Sequence, residues 1–379
     1  MHGISRWADV HLQQLKDFSP TYLRDSYQML EELDKLEELP EGTKLFTMDA
    51  TAMYTNIDTD HGFEVLEKFI EMFEDDLPDD FPKDLVLWAM KIVMRYNVFE
   101  FGDHTFQQLC GTAMGTPSAC IYATIYYCYH EICVLLAKYK KYLILYKRLI
   151  DDGCGLWNDR GDPGAWDRFC QDVNNFVGGK LKWIIDDRSK EVNFLDITIK
   201  INELNRIETW TYQKPMNLYL YITENSAHPP GMMRGIIFGE LKRYHRQNSR
   251  REDYLKMVRL LFLRLRARGW GADLLKQWFI AAAKKVESKL PTRKADNISP
   301  RDRLFLHLKY HPRGITRQHL RAAFDATCDN FNGTSAAVKQ VTVAFSRARN
   351  IKDDLTSARF RPPANARGPA SRTRVDRPT

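Results

Sequence analysis

No two of the seven cysteines stand in a CxxC pair, and their number is odd. That excludes a complete disulfide framework and a CxxC zinc or redox site. It leaves reduced thiols in or near the core, as in an intracellular protein. The opening stretch, MHGISRWADVHLQQLKDFSP, has no apolar segment of the kind a secretory leader carries. Nor is any apolar run both long enough and charge-free enough to cross a bilayer, so no membrane partner is expected. The richest run, residues 119–137, contains His130 and Glu131 and is expected as a buried helix. No internal repeat is visible. Acidic residues are scarce in one region: between Arg234 and Arg268 there are eleven Lys and Arg against three acids, Glu240, Glu252 and Asp253.

What remains is ordinary in bulk. The 379 residues suffice for two or three subdomains with real cores, and the 44% of hydrophobic residues can fill them. The net charge of +7 favours an acidic partner such as nucleic acid. The basic surplus of residues 234–268 is eight, which exceeds that of the whole chain. A run like this is usually a solvated helix face, but such concentration favours a surface that tracks phosphates.

The chain is organised around residues 143–157, LILYKRLIDDGCGLW. Two apolar, β-prone runs flank Asp151 and Asp152, which predicts a hairpin with both aspartates at its turn. Adjacent carboxylates repel, and a divalent cation removes that cost. A lone Asp-Asp pair is more often a solvated turn. A second acidic strand end therefore matters: the short run Leu45, Phe46, Thr47, Met48 finishes on Asp49. A sheet that sets these strands side by side brings three carboxylates together. That is a ligand set for two Mg²⁺ ions roughly 3.5–4 Å apart, with Mn²⁺ as a substitute.

The other elements follow from periodicity. Helices are predicted over 22–39, over 61–73 with Asp60 as its cap, over 83–95, over 118–139 and over 163–177. Three more are predicted within 232–289. Hairpins are predicted around Gly102-Asp103, and between 192–201 and 207–212. Between them GTAMGTP, residues 111–117, combines two glycines and a proline, a backbone able to approach a ligand closely. Residues 359–379 are Pro, Ala, Arg and Ser and are expected to be disordered.

Three motifs together match a family. FTMDATAMYTNI (46–57) resembles motif A of reverse transcriptases, CGTAMGTPSA (110–119) motif B, and YKRLIDDG (146–153) motif C. VNFLDITI, TYQKPMNLYLYITENSAHPP, LKYHPRG and AFSRARNIKDDL resemble later segments of the reverse transcriptase of Penelope-like retroelements. The resemblance spans residues 20–360, and the order and spacing of the motifs carry it. It implies an α+β fold: a right-hand polymerase palm, an antiparallel sheet backed by helices, with a helical thumb and incomplete fingers. The expected division is a helical remnant at 1–43, palm at 44–230, basic thumb at 231–290, a post-thumb region at 291–358 and the tail.

By this resemblance Asp49 and Asp151 are the main metal ligands and Asp152 the third. Tyr54 falls at the steric gate facing the sugar, or else is an ordinary buried tyrosine. Gly115 falls near the templating base pair. Lys182 falls near the triphosphate, although a solvated strand lysine is the simpler reading. Arg243, Arg246 and Arg250 are expected to hold nucleic acid. The implied partners are an RNA template, a DNA primer and dNTPs, and the implied location is the nucleus. Three departures stand out. Leu149 replaces an aromatic in motif C. Few residues precede Asp49, and residues 290–379 hold no GIY and YIG pair, so a fragment or a non-catalytic nucleic-acid-binding remnant is the alternative. An RNA-dependent RNA polymerase would share the carboxylates but favour a small or polar residue at Tyr54. A purely structural domain is opposed by the basic run.

Overall fold

The computed structural model describes residues 2–112, 114–288, 303–330 and 340–347. Helices α1 (His2–Leu12) and α2 (Ser26–Leu33) precede strand β1 (Lys44–Thr51). A left-handed Ala52, φ 51°, turns the chain into the short α3 (Met53–Asn56). Helices α4 (Thr59–Met72) and α5 (Lys83–Arg95) follow, then an exposed hairpin, β2 (Val98–Phe101) and β3 (His104–Gln107). The cap of α4 is Asp58 and not Asp60: its carboxylate accepts from the Asp60 and His61 amides, both at 3.1 Å. The first predicted helix is also shorter than its composition suggests. It starts where Asp25 accepts from the Gln28 amide at 2.9 Å, and it stops at Leu33.

The apolar run from Ala119 forms α6 (Ala119–His130), a π-helical stretch (Glu131–Leu136) and α7 (Ala137–Tyr139). By length and composition Ala119–Tyr139 is, against expectation, apolar enough to cross a membrane, but Ile121 through Cys128 are buried in the core. Strands β4 (Leu143–Leu149) and β5 (Asp152–Trp157) make the predicted hairpin. Helix α8 (Ala165–Asn174) leads to β6 (Lys182–Ile185). These strands form one antiparallel sheet in the order β4-β5-β1-β6.

Each strand divides its residues between two faces. Phe46, Met48 and Ala50 of β1, Trp157 of β5 and Tyr146 of β4 join the main core, with α4, α5 and α6. Leu45, Cys154 and Leu156 point the other way, into a second core shared with the next sheet. That sheet has three strands and not the predicted two. The run 192–201 is itself a hairpin, β7 (Glu191–Phe194) and β8 (Ile197–Ile201), folded over a left-handed Leu195, φ 54°, and β8 then pairs with β9 (Ile207–Thr211).

Three helices follow as expected, α9 (Met232–Gln247), α10 (Arg251–Ala267) and α11 (Ala272–Glu287), around their own core of Ile237, Leu241, Leu261, Leu265 and Leu275. The corner between α9 and α10 is tied to β9. Thr211 Oγ1 donates to Gln247 Oε1 at 3.0 Å, the Thr211 amide to Asn248 Oδ1 at 3.2 Å, and the Ser249 amide to the Thr209 carbonyl at 2.9 Å.

By internal contacts the chain divides into two units, residues 1–224 with 233–290, and residues 225–232 with 291–379. In the second, parallel strands β10 (Arg303–Lys309) and β11 (Gln340–Ser346) flank α12 (Arg317–Asn330). The tail at 359–379 lies outside the described residues.

Candidate active site

Asp49 sits within β1 and not at its end. Its backbone lies directly opposite Asp152, the first residue of β5. Paired residues of antiparallel strands share a face with side chains about 4.5–5.5 Å apart at their roots. Asp151 occupies the two-residue turn before Asp152, and its carbonyl accepts from the Ala50 amide at 3.0 Å. The turn is thus fastened to the strand that carries Asp49. All three aspartates are exposed. Partial burial pushes the Asp49 carboxyl up, and the charges of Asp151 and Asp186 push it further. Burial likewise raises Asp152, helped by Asp151 and Asp49 and opposed by Lys214. Such mutual elevation is what an unneutralised carboxylate cluster produces.

Two of these groups were not picked out from the sequence. Asp186 follows β6; its amide donates to the Thr47 carbonyl at 3.0 Å, and its carboxylate accepts from Thr47 Oγ1 at 2.5 Å. It ends an apolar strand, the signal that singled out Asp49. Lys214 offered no such signal. The cation bears on Asp152 only because of where the chain runs after β9.

Tyr54 lies on α3, half buried against the main core. Burial, a hydrogen bond with Cys120 and the Asp151 charge all raise its hydroxyl. Beneath it, the Thr112 amide donates to the Tyr54 carbonyl at 2.6 Å and the Gly111 amide to the Ile57 carbonyl at 3.0 Å. A Cβ on Gly111 would come within 2.8 Å of the Tyr54 carbonyl oxygen. Gly111 thus serves close backbone approach as well as the turn. Gly115, at φ 94° with open space around its Cα, needs glycine for its backbone angle alone. Lys182 pairs with Thr51 on β6, on the sheet face of Asp49, but its Nζ donates to the Asn174 carbonyl at 3.3 Å.

The three arginines selected from the basic run do not form a free stripe. Arg243 is half buried between Glu240, 2.7 Å, and Asp196, 3.6 Å. Arg246 lies 5.0 Å above the Tyr27 ring, and Arg250 pairs with Glu208 at 2.6 Å. The partners Asp196 and Glu208 come from the neighbouring sheet. Arg243 and Arg250 thus tie helix to sheet. Lys256 and Arg259 of α10 are exposed, and among the described residues neither has an acidic partner.

Among the described residues no group of three or more His, Cys, Asp or Glu stands close enough to hold a metal ion. Asp49, Asp151 and Asp152 offer only carboxylate oxygen.

The fold has relatives of known structure. The telomerase of Candida albicans, in complex with a TWJ fragment of telomeric RNA, aligns with a TM-score of 0.50 at 12% identity, over 76% of this chain and 53% of that one. The apo telomerase of Candida tropicalis aligns at 0.42 and 11%, over 75% and 54%. The Sicinivirus 3Dpol RNA-dependent RNA polymerase aligns at 0.43 and 13%, over 70% and 55%. The fold is polymerase-like. This chain spans about half the length of those relatives. No family model matches it, and neither does any curated protein.

Proposed function

We propose that the chain is the palm and thumb of an RNA-directed DNA polymerase of a Penelope-like retroelement. Its partners are then an RNA template, a DNA primer and dNTPs. One observation carries the reading: Asp49 stands in register with Asp152 while the Asp151 turn is bonded to the same strand. Mg²⁺ takes one or two protein carboxylates and completes its shell with water and substrate phosphate, so a full protein cage is not required of the site. Asp49 and Asp151, with Asp152 beside them, would hold two Mg²⁺ ions, or Mn²⁺. Bound there, the ions would supply charge for the transferring phosphate and lower the pKa of the primer 3′-hydroxyl. As the gate that the motif resemblance implies, Tyr54 would exclude a ribose 2′-hydroxyl.

Primer extension on poly(rA)–oligo(dT) with Mg²⁺ tests the reading. DNA synthesis is expected. Binding without extension would instead support the alternative, a non-catalytic nucleic-acid-binding remnant.

Tyr54 gives a sharper expectation. Tyr54→Ala should raise the ratio of ribonucleotide to deoxynucleotide incorporation, since bulk does the excluding. A ratio removes any loss of folded protein. If Tyr54 only packs, the truncation costs stability and depresses both incorporations equally. An unchanged ratio ends the gate assignment.

Lys256 and Arg259 would extend the nucleic-acid surface expected of Arg243, Arg246 and Arg250. Lys256→Ala with Arg259→Ala is expected to lower the slope of log K against log salt by about 0.9 for each phosphate no longer neutralised. Arg243→Ala should instead loosen the helix–sheet junction and show in thermal melting. An unchanged slope in the double variant would mean α10 faces away from the duplex.

A further inference from the structure

Beneath the aspartate turn, on the sheet face away from the carboxylates, lies a fully buried ion pair. Arg148 of β4 is 1% exposed and Glu131 0%. Arg148 Nε donates to Glu131 Oε1 at 2.5 Å and Nη2 to Oε2 at 3.0 Å, with a further contact from Nη2 to the Thr124 carbonyl at 3.2 Å. Tyr146 Oη donates to Glu131 Oε1 at 2.8 Å and Thr21 Oγ1 to Oε2 at 2.5 Å. The carboxylate is thus bonded on both oxygens and the guanidinium is locked. Glu131 opens the π-helical stretch of the long helix, and such local widening recurs at functional sites.

A buried ion pair is rarely kept for stability, because two apolar residues of similar volume serve as well or better. The remaining guanidinium nitrogen shows what this one holds. Arg148 Nη1 donates to the Ile150 carbonyl at 2.7 Å. Ile150 is the first turn residue and stands at φ 57°, a conformation costly for a β-branched side chain and normally left to glycine in such a turn. Its carbonyl belongs to the peptide plane that joins it to Asp151. Fixing that oxygen fixes the amide and Cα from which the Asp151 carboxylate springs. The edge of β4 is held as well: the Arg148 amide donates to the Thr21 carbonyl at 2.7 Å, and the Leu23 amide to the Arg148 carbonyl at 2.9 Å.

We propose that Arg148, clamped by Glu131, is a positioning residue: it holds the strained Ile150–Asp151 peptide and thereby aims the Asp151 carboxylate. It touches no substrate and acts only through the turn. Its effect on catalysis rests on the polymerase reading above; its effect on the turn does not.

The decisive variant is the paired Arg148→Met, Glu131→Leu, which removes both charges together and keeps an apolar core. Thermal melting should stay near that of the parent, as for other buried pairs replaced by apolar residues. Hydrogen exchange at the amides of residues 149–153 should accelerate at least tenfold, while that of β1 stays unchanged. In primer extension, kcat should fall about 10- to 100-fold, as for other supporting residues behind a metal ligand, with little change in dNTP KM. Arg148→Lys keeps the charge but cannot fork between Glu131 and Ile150, and should fall between the two. Turn amides that exchange as slowly in the folded double variant as in the parent would overturn the proposal, and so would an unchanged kcat. If the double variant fails to fold, Arg148→Lys is measured by the same two readouts, and unchanged values there overturn the proposal equally. A parent that extends no primer would refute the polymerase reading while the exchange measurement still decides the clamp.

Discussion

Asp151→Asn should reduce primer extension on the order of a thousandfold, while the protein stays folded and still binds primer–template. The substitution keeps the shape of the side chain and removes one charge. In the folded chain Asp49 and Asp152 are both raised by burial and by the neighbouring carboxylates. A group whose folded pKa is raised binds its proton more tightly in the native state, so its contribution to stability declines as pH rises through that range. At neutral pH the ionised cluster therefore works against folding, and removing one charge relieves it. An asparagine here should melt no lower than the parent, whereas a residue kept for structure would melt lower. The pairing of retained stability with lost activity marks a functional carboxylate. Extension within tenfold of the parent would show that Asp151 is not a ligand for the reaction. Asp49→Asn is expected to behave the same way, since it lies in register with Asp152.

Much of this site was legible because strand patterning is short-range. Phe46, Met48 and Ala50 alternate with Thr47, Asp49 and Thr51, and that period alone assigns Asp49 to the face opposite the helices. The Asp-Asp hairpin followed from two apolar runs with nothing between them but a turn. What stayed hidden depends on partners distant in sequence. The basic run of 234–268 read as a phosphate surface, but Asp196 and Glu208 of the adjacent sheet engage Arg243 and Arg250. Run 192–201 read as one strand because its turn uses a left-handed Leu195, where glycine or asparagine would have signalled it. Ile150 is the same kind of exception, a β-branched residue in a glycine conformation at the centre of the site. Asp60 is the expected cap of α4, but the helix starts earlier and Asp58 accepts from the first amides. Nothing in the patterning signals that Glu131, inside the most apolar helix, faces Arg148.

Gly155→Ala is expected to destabilise the fold by about 2–3 kcal/mol, and by more than Gly153→Ala. Both glycines lie on β5 opposite large residues of β1: Gly155 faces Phe46, and Gly153 faces Met48. Intrinsic strand preference alone would make either change stabilising by about 0.5–1 kcal/mol, because alanine loses less entropy on folding. Close contact reverses the sign. A Cβ on Gly155 would meet the Phe46 ring at 2.5 Å and the Leu145 carbonyl oxygen at 2.8 Å. Neither can move freely: Phe46 is fully buried and packs edge-on against Trp166 and Phe169, and the carbonyl belongs to the paired strand. On Gly153 the nearest atom is Met48 Cγ at 2.7 Å and the nearest backbone atom lies at 3.5 Å, so one buried side chain must turn about its first bond but no backbone need move. Melting of the two variants should therefore separate by several degrees, with Gly155→Ala the lower. Equal melting temperatures, or a stabilised Gly155→Ala, would mean that β1 and β5 are not paired in this register. The consequence would reach the chemistry, because the same register brings Asp49 and Asp152 face to face.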